Sequence, residues 1–293
     1  MRIALGTAQF GLLYGVANTD GQVTQEDANE ILAFCKLAGI DMLDTAIDYG
    51  ESEQVLGRAG VSKFKVVTKL PSRPKNCRNV AESILSAVTD SLVRLKVKSI
   101  YCLMLHRPSE LLGSDGQEIM QALKDLKDRK VVENLGISVY SPDEFEELFS
   151  CHVFDIVQCP FNIIDRRLVM SGWLDKLKDL GVEVHVRSSF LQGLLLISRD
   201  KVPKQFRTWD NLWNVWHKWI KENDISPVEG CLAYVLSHKK IDKVVVGVDK
   251  KQHLEQIVLA AQSSKIKSFP DLSNLDRNLI NPSNWSNLHN SSD

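Results

Sequence analysis

Between positions 44 and 106 the 293-residue chain carries an aspartate, a lysine and a histidine, each just after a short apolar run, and a tyrosine in the loop that follows the first of them: Asp44, Lys69, His106 and Tyr49. Asp44 opens the stretch DTAIDYGESEQVLG, Lys69 follows Val66-Val-Thr68, and His106 follows an apolar run over 100–105. A tyrosine beside a lysine and a histidine can give a proton to a carbonyl oxygen. A free phenol titrates at about 10, too high for ready transfer near neutrality. A cationic lysine a few ångströms away favours phenolate and can lower that value by about 1–3 units. A buried ammonium needs a counter-charge, which Asp44 supplies. An imidazole can orient the carbonyl or share in proton transfer. Taken singly, each residue has a plainer reading: a turn aspartate, an exposed lysine, a core histidine. The set acts only if the fold brings its members to one place.

The elements that must do so form one repeated pattern. A short apolar run, often β-branched, ends in a polar or glycine turn, and a helix-period segment follows. Strands are expected at 3–5, 42–43, 66–68, 100–105, 135–137, 156–157, 182–186 and 244–246. Most lack strict alternation, as parallel strands covered on both faces do. Thr24 with Asp27 forms a capping-box pattern before the stripe Ala28, Ile31, Leu32, Cys35, Ala38, with Gly39 as C-cap. Ser141-Pro-Asp-Glu144 reads as a second N-cap, with proline first in the helix. Val80, Ile84, Leu85, Val88 and Leu92 give another helical stripe, as do Leu254, Ile257, Val258 and Ala261.

Eight strands alternating with helices predict an α/β fold: a single-domain (β/α)₈ TIM barrel over residues 1–264. An open doubly wound sheet is the competitor, and neither GxGxxG nor GxxxxGK occurs to favour it. Residues 265–293, rich in Asn and Ser and holding Trp285, are expected as an irregular C-terminal tail, over the barrel rim or partly disordered.

Bulk properties narrow the class. With 36 basic and 37 acidic residues and no charged block, neither nucleic acid nor a membrane is expected as partner. No signal peptide and no long apolar run are visible, so a cytoplasmic protein is expected. The six cysteines form no CxxC pair and read as small buried hydrophobes in a reducing compartment. The seven histidines show no metal-binding spacing, and no metal is expected. Trp209, Trp213, Trp216 and Trp219, three or four apart, read as the packing face of a helix.

In a barrel of this kind chemistry sits where strands end. The residues there are Asp44 with Tyr49, Lys69, His106, Ser138, Gln158, Arg187 with Ser188, and Gly247. DTAIDYGESEQVLG, Thr68-Lys69, Leu105-His106-Arg-Pro108, Gly136-Ile-Ser138, Val157-Gln158 and Val-Val-Gly247 together resemble the aldo-keto reductases across residues 3–262. The resemblance implies an NAD(P)H-dependent barrel that reduces an aldehyde or ketone without metal. It makes Tyr49 the general acid, Lys69 its partner, Asp44 the anchor of that lysine, and His106 the group that orients the carbonyl. It implies that Ser138 and Gln158 hold the nicotinamide carboxamide. Val139 stands where many members carry Asn. Arg187, followed by Ser188, stands where an aromatic ring often stacks on the nicotinamide, and its charge could tune redox balance or recruit an anionic substrate.

Gly247, Lys250, Lys251, His253 and Gln256 fall in the family's adenosine-phosphate site, with backbone amides at a helix N-terminus. NADP (as NADPH) is expected there, with NAD still open. The N-terminal hairpin of the family is expected to be short or absent. Phe10, Tyr14, residues 107–115, Phe161 and Asn162 are expected to shape the pocket of a small carbonyl substrate. Two other readings stay open: a nucleotide-sensing or partner-binding regulator on the same fold, and an aldolase that forms a Schiff base on Lys69. Nothing in the chain indicates oligomeric state.

Overall fold

The computed structural model describes residues 1–16, 18, 21–72, 79–263, 266 and 268–285. Its strands are β1 (Ile3–Gly6), β2 (Met42–Asp44), β3 (Lys65–Leu70), β4 (Ile100–Leu105), β5 (Val132–Ser138), β6 (Ile156–Pro160), β7 (Glu183–Arg187) and β8 (Lys243–Gly247). All are parallel, each pairs with the next, and β8 pairs with β1 to close the barrel. The helices between them are α1 (Gln25–Ala38), α2 (Ser52–Ala59), α3 (Val80–Leu95), α4 (Gly116–Asp128), α5 (Glu144–Cys151), α6 (Arg167–Met170) and α7 (Trp173–Asp179). After β7 come α8 (Asp210–Glu222) and α9 (Pro227–Ser237), and after β8 come α10 (Lys251–Ser263) and α11 (Arg277–Ile280). This is the single-domain (β/α)₈ barrel expected from the strand pattern. Among the described residues no helix is long and apolar enough to cross a membrane.

The absence of alternation in the strands has its cause in two cores. Outward side chains such as Leu5, Leu43, Leu103 and Val157 pack under the helices. Inward ones, Ala4, Met42, Val67, Cys102, Met104 and Ile156, fill the barrel. Both faces are dry, so both are apolar.

Local signals hold with instructive shifts. Thr24 caps α1 by accepting the Asp27 N–H at 3.1 Å, and Gly39 ends the helix at φ +71°. The reciprocal half of the box differs: the Thr24 hydroxyl donates to the Asp27 carboxylate. The second cap signature starts its helix later than expected. Pro142 and Asp143 form a turn, α5 begins at Glu144, and the Glu144 carboxylate accepts the N–H groups of Tyr140 and Ser141. On α3, Leu85 is exposed and Ser91 is buried in its stead, because the Ser91 hydroxyl has a partner inside. Cys35, Cys102, Cys159 and Cys231 are buried, but Cys151, in the last turn of α5, is exposed, against the expectation for the cysteines; Cys77 lies outside the described residues.

Trp213 and Trp216 of α8 are fully buried and donate their indole N–H groups to the carbonyls of Phe206 and Leu195. The expected boundary at 264/265 falls outside the described residues. The described part of the tail is more ordered than an irregular segment. It forms α11, buries Leu279, Ile280 and Trp285, and sets Trp285 edge-on against Phe206, a residue of the β7–α8 connection.

Candidate active site

β2 and β3 are adjacent, with Asp44 paired in register to Val67. Asp44 and Lys69 both point into the barrel mouth, where Lys69 Nζ lies 2.6 Å from Asp44 Oδ1, with side chains 1% and 5% exposed. Lys69 Nζ also donates to the carbonyl of Thr45 at 2.9 Å. Tyr49 arrives from the β2–α2 loop, and Lys69 Nζ lies 5.2 Å from its ring centroid. His106, one residue past β4, packs against the same ring at 6.0 Å, nearly perpendicular at 77°. The fold thus brings together four side chains spread over 62 positions, from 44 to 106.

Charge states follow from the surroundings. Burial works to depress the Lys69 pKa, but Asp44 and Tyr49 together outweigh it and the net shift is upward, so Lys69 is an ammonium. His106 is pushed down to about 4, first by burial and then by repulsion from Lys69 and Arg187. It is a neutral imidazole at pH 7, with one N–H to donate.

This gives a pH prediction. As pH falls from 6.5 toward 4, the unfolded chain takes up a proton at residue 106 that the folded chain refuses. Stability falls through that window, by at most about 3 kcal/mol. Denaturant unfolding at pH 7 and pH 4.5 should show the drop, and His106→Gln should reduce it. An unchanged drop in the variant would assign it to other groups.

Much of the signature around Tyr49 is scaffolding. Ser52 Oγ donates to Thr7, 2.8 Å from the carbonyl and 2.9 Å from the hydroxyl, and sits 3.0 Å from Thr45 Oγ1. Thr7 Oγ1 in turn donates to the Asp44 carbonyl. This hydroxyl web ties the ends of β1 and β2 to the start of α2. The buried Glu53 carboxylate accepts from Thr68, Ser91 and Arg94, at 2.6 to 2.7 Å, clamping α2 to β3 and α3. The Tyr49 loop also leans on the β1–α1 loop. A Cβ at Gly11 would lie 1.8 Å from the Tyr49 carbonyl, and Gly50, at φ +52°, would strike the Gly11 carbonyl.

From Tyr49 a cleft of about 420 Å³ runs over the mouth to α10. Arg187, Ser188, Gly247, His253 and Gln256 line it, together with Gln9, Tyr14 and Asp249. Ser138 and Gln158 do not line it; both are nearly fully buried beneath. Gln158 Nε2 donates to Asp44 Oδ2 at 2.7 Å, so this glutamine first braces the lysine's anchor. Its Oε1 is buried with no partner. Lys251 faces along its own helix to Glu255. Lys250 lies beside it at the start of α10, outside the cleft lining.

Of the expected pocket residues, Tyr14 lines the cleft, whereas Phe10 and Phe161 are fully buried and Phe161 stacks on Tyr234. Asn162 is also buried, its side chain spent on the backbone of Ile164, Asp165 and Ser188. Residues 107–115 stand away from the cleft lining, with Pro108 and Leu111 buried. Gln9, Asp249 and Tyr140 were not singled out by the sequence. Their one signal was position after a strand end.

The cleft suits a dinucleotide. An orphan amide oxygen lies under the inner end, and the N-terminal part of α10, with His253 and Gln256 in the lining, stands at the outer end, where the positive end of a helix favours an anion. Ser188, Leu191 and Gln192 on the connecting loop hold left-handed φ of 62°, 48° and 52°. Such strain, of order 1 kcal/mol per residue, gathers where backbone is aimed at a ligand.

Comparison with known proteins agrees with this geometry. The sequence model described as "Aldo/keto reductase family" matches residues 2–272. The oxidoreductase sirO of Leptosphaeria maculans is 29% identical over 221 residues, 71% of this chain, which spans 65% of that protein's length. The NADH-specific methylglyoxal reductase of Escherichia coli (strain K12) is 28% identical over 225 residues, 69% of this chain and 68% of that one. Among solved structures, the holo form of aldo-keto reductase AKR11C1 from Bacillus halodurans superposes with a TM-score of 0.73 at 23% identity, covering 91% of this chain and 88% of that one. At that identity the likeness speaks to fold alone.

Proposed function

We propose that this chain, which belongs to the aldo/keto reductase family, reduces an aldehyde or ketone to an alcohol with NADPH, Tyr49 acting as general acid. The observation that carries the reading is the Asp44–Lys69 pair, buried at 2.6 Å beneath Tyr49 and His106, at the inner end of a cleft shaped for a dinucleotide.

When bound, the reduced nicotinamide supplies a hydride to the carbonyl carbon. The chain's own residues do the rest. Tyr49 donates its phenolic proton to the carbonyl oxygen. The Lys69 ammonium stabilises the negative charge that develops on the phenol oxygen as the proton leaves. Asp44 keeps that ammonium charged and in place, held from its other side by Gln158. Neutral His106 donates a hydrogen bond to the same carbonyl oxygen without competing as a proton source.

Gln158 Oε1 and the hydroxyl of Ser138 are assigned to the carboxamide. Ser188, Gly247 and Gln256 are assigned to the sugar–phosphate stretch, and Lys250 with His253 to a 2′-phosphate. Lys251, whose ammonium sits 3.3 Å from Glu255, is assigned to the same phosphate. The NADH-specific relative shows that the fold accepts the other nucleotide, so the choice is put to direct measurement.

Fluorescence titration should give binding of NADPH tighter than NADH by about tenfold or more, as a charge-assisted contact to the extra phosphate implies. A panel of carbonyl compounds followed by cofactor absorbance should then show oxidation. Equal affinities would remove the 2′-phosphate assignment alone. Tight binding with no oxidation across the panel would turn the reading toward a nucleotide sensor.

A further inference from the structure

The inner end of the cleft holds a positive charge that its own residues do not cancel. Lys69 is matched by Asp44. Arg187, at the tip of β7, has no carboxylate within 4.0 Å among the described residues. Its guanidinium lies 4.7 Å from the Tyr140 ring centroid. Nη2 donates to the Val139 carbonyl at 3.1 Å, and Nη1 reaches only Ser188 Oγ, at 3.5 Å. A guanidinium has five N–H donors in a planar fork, so most of them are left over. The aromatic face and the carbonyl hold that fork in one orientation, which reduces the entropy lost when it binds.

Arg187 lines the same cleft as Tyr14 and Tyr49, and its charge is felt at both Lys69 and His106. The Tyr14 hydroxyl accepts a hydrogen bond from Gln192 Nε2 at 3.2 Å, which leaves its own proton to donate. A half-buried cation without a counter-ion is costly, and an anionic ligand removes that cost.

We propose that the carbonyl substrate carries an oxyanion, a carboxylate or phosphate, bound by Arg187 with Tyr14 as second donor while the carbonyl oxygen lies against Tyr49 and His106. This rests on the reductase reading above and adds the substrate's class to it. The oxyanion and the carbonyl are then joined by a short spacer that crosses the barrel mouth.

The test uses matched pairs: succinic semialdehyde against butanal, and glyceraldehyde 3-phosphate against glyceraldehyde. The wild-type protein should favour the anionic member of one pair by about 10- to 100-fold in kcat/KM, the range of charge-assisted hydrogen bonds, and the pair that responds identifies the oxyanion. Arg187→Met should bring that ratio near one, and Arg187→Lys should retain part of it. The ratio is taken within each variant, so any change in cofactor binding cancels. Calorimetry adds a readout without turnover: succinate or inorganic phosphate should bind the wild type and bind Arg187→Met at least about tenfold more weakly. Equal reduction of both members by the wild type overturns the inference and leaves the reductase reading intact. A ratio that survives in Arg187→Met overturns the role of Arg187. No reduction of either member overturns the reductase reading, and the calorimetry then decides anion binding by itself.

Discussion

Replacing Tyr49 with phenylalanine lowers turnover on every carbonyl substrate by at least about 100-fold, the lower range for loss of a positioned general acid, while NADPH affinity stays within about threefold. The change removes one oxygen and leaves the ring, so the edge-on contact with His106 and the packing over Lys69 are kept. The loss therefore falls on proton delivery and not on the shape of the cleft. Thermal unfolding should move little, because a surface-accessible hydroxyl is lost and no buried partner is orphaned. Single-turnover rates with saturating NADPH provide the measurement. A variant that turns over within tenfold of the wild type would show that the proton comes from elsewhere, with His106 the next group to remove.

The second large effect belongs to Lys69→Met, and it separates stability from chemistry. Methionine fills similar space but leaves Asp44 as a buried anion whose remaining side-chain donor is Gln158. Breaking a buried pair from one side costs about 3–5 kcal/mol, a large share of the total stability of a domain. Denaturant unfolding should show a loss of that order, and turnover should fall with it. The double variant Lys69→Met/Asp44→Asn removes the stranded charge. It should recover most of the stability and none of the turnover. Recovery of both would mean that the pair is scaffolding.

The pH dependence of the same pair has a definite sign. Lys69 titrates above its ordinary value in the folded state, so its contribution is complete below the unfolded lysine pKa, about 10.4. It is lost as pH rises through the higher folded value. Denaturant unfolding of the wild type should therefore show a loss of stability as pH rises above about 10.4, and Lys69→Met/Asp44→Asn should show a smaller one; an equal loss in both would assign it to other groups.

What the amino-acid order determined without help was everything local. The eight strand runs, the cap at Thr24 and the left-handed Gly39 are written in periodicity and turn chemistry within a few residues, and they appear where expected. So does the DTAIDYGESEQVLG signature, which singled out Asp44 and Tyr49 and led to Lys69 and His106.

What required the folded chain was the pairing of polar atoms across the barrel. The same signature supplies Thr45, Ser52 and Glu53, to which the sequence assigns no role and which are clamps in space, holding Thr7, Ser91 and Arg94. Gln158 meets Asp44 across 114 positions, and Arg187 spans 48 positions to the Val139 carbonyl. Phe161 and Asn162 follow a strand end, yet turn into the protein. Periodicity tells which face of a strand is buried. It does not tell which inward side chain meets which, because that depends on the tilt and stagger with which eight strands close on themselves. Those are properties of the whole sheet, and no single segment of the chain contains them.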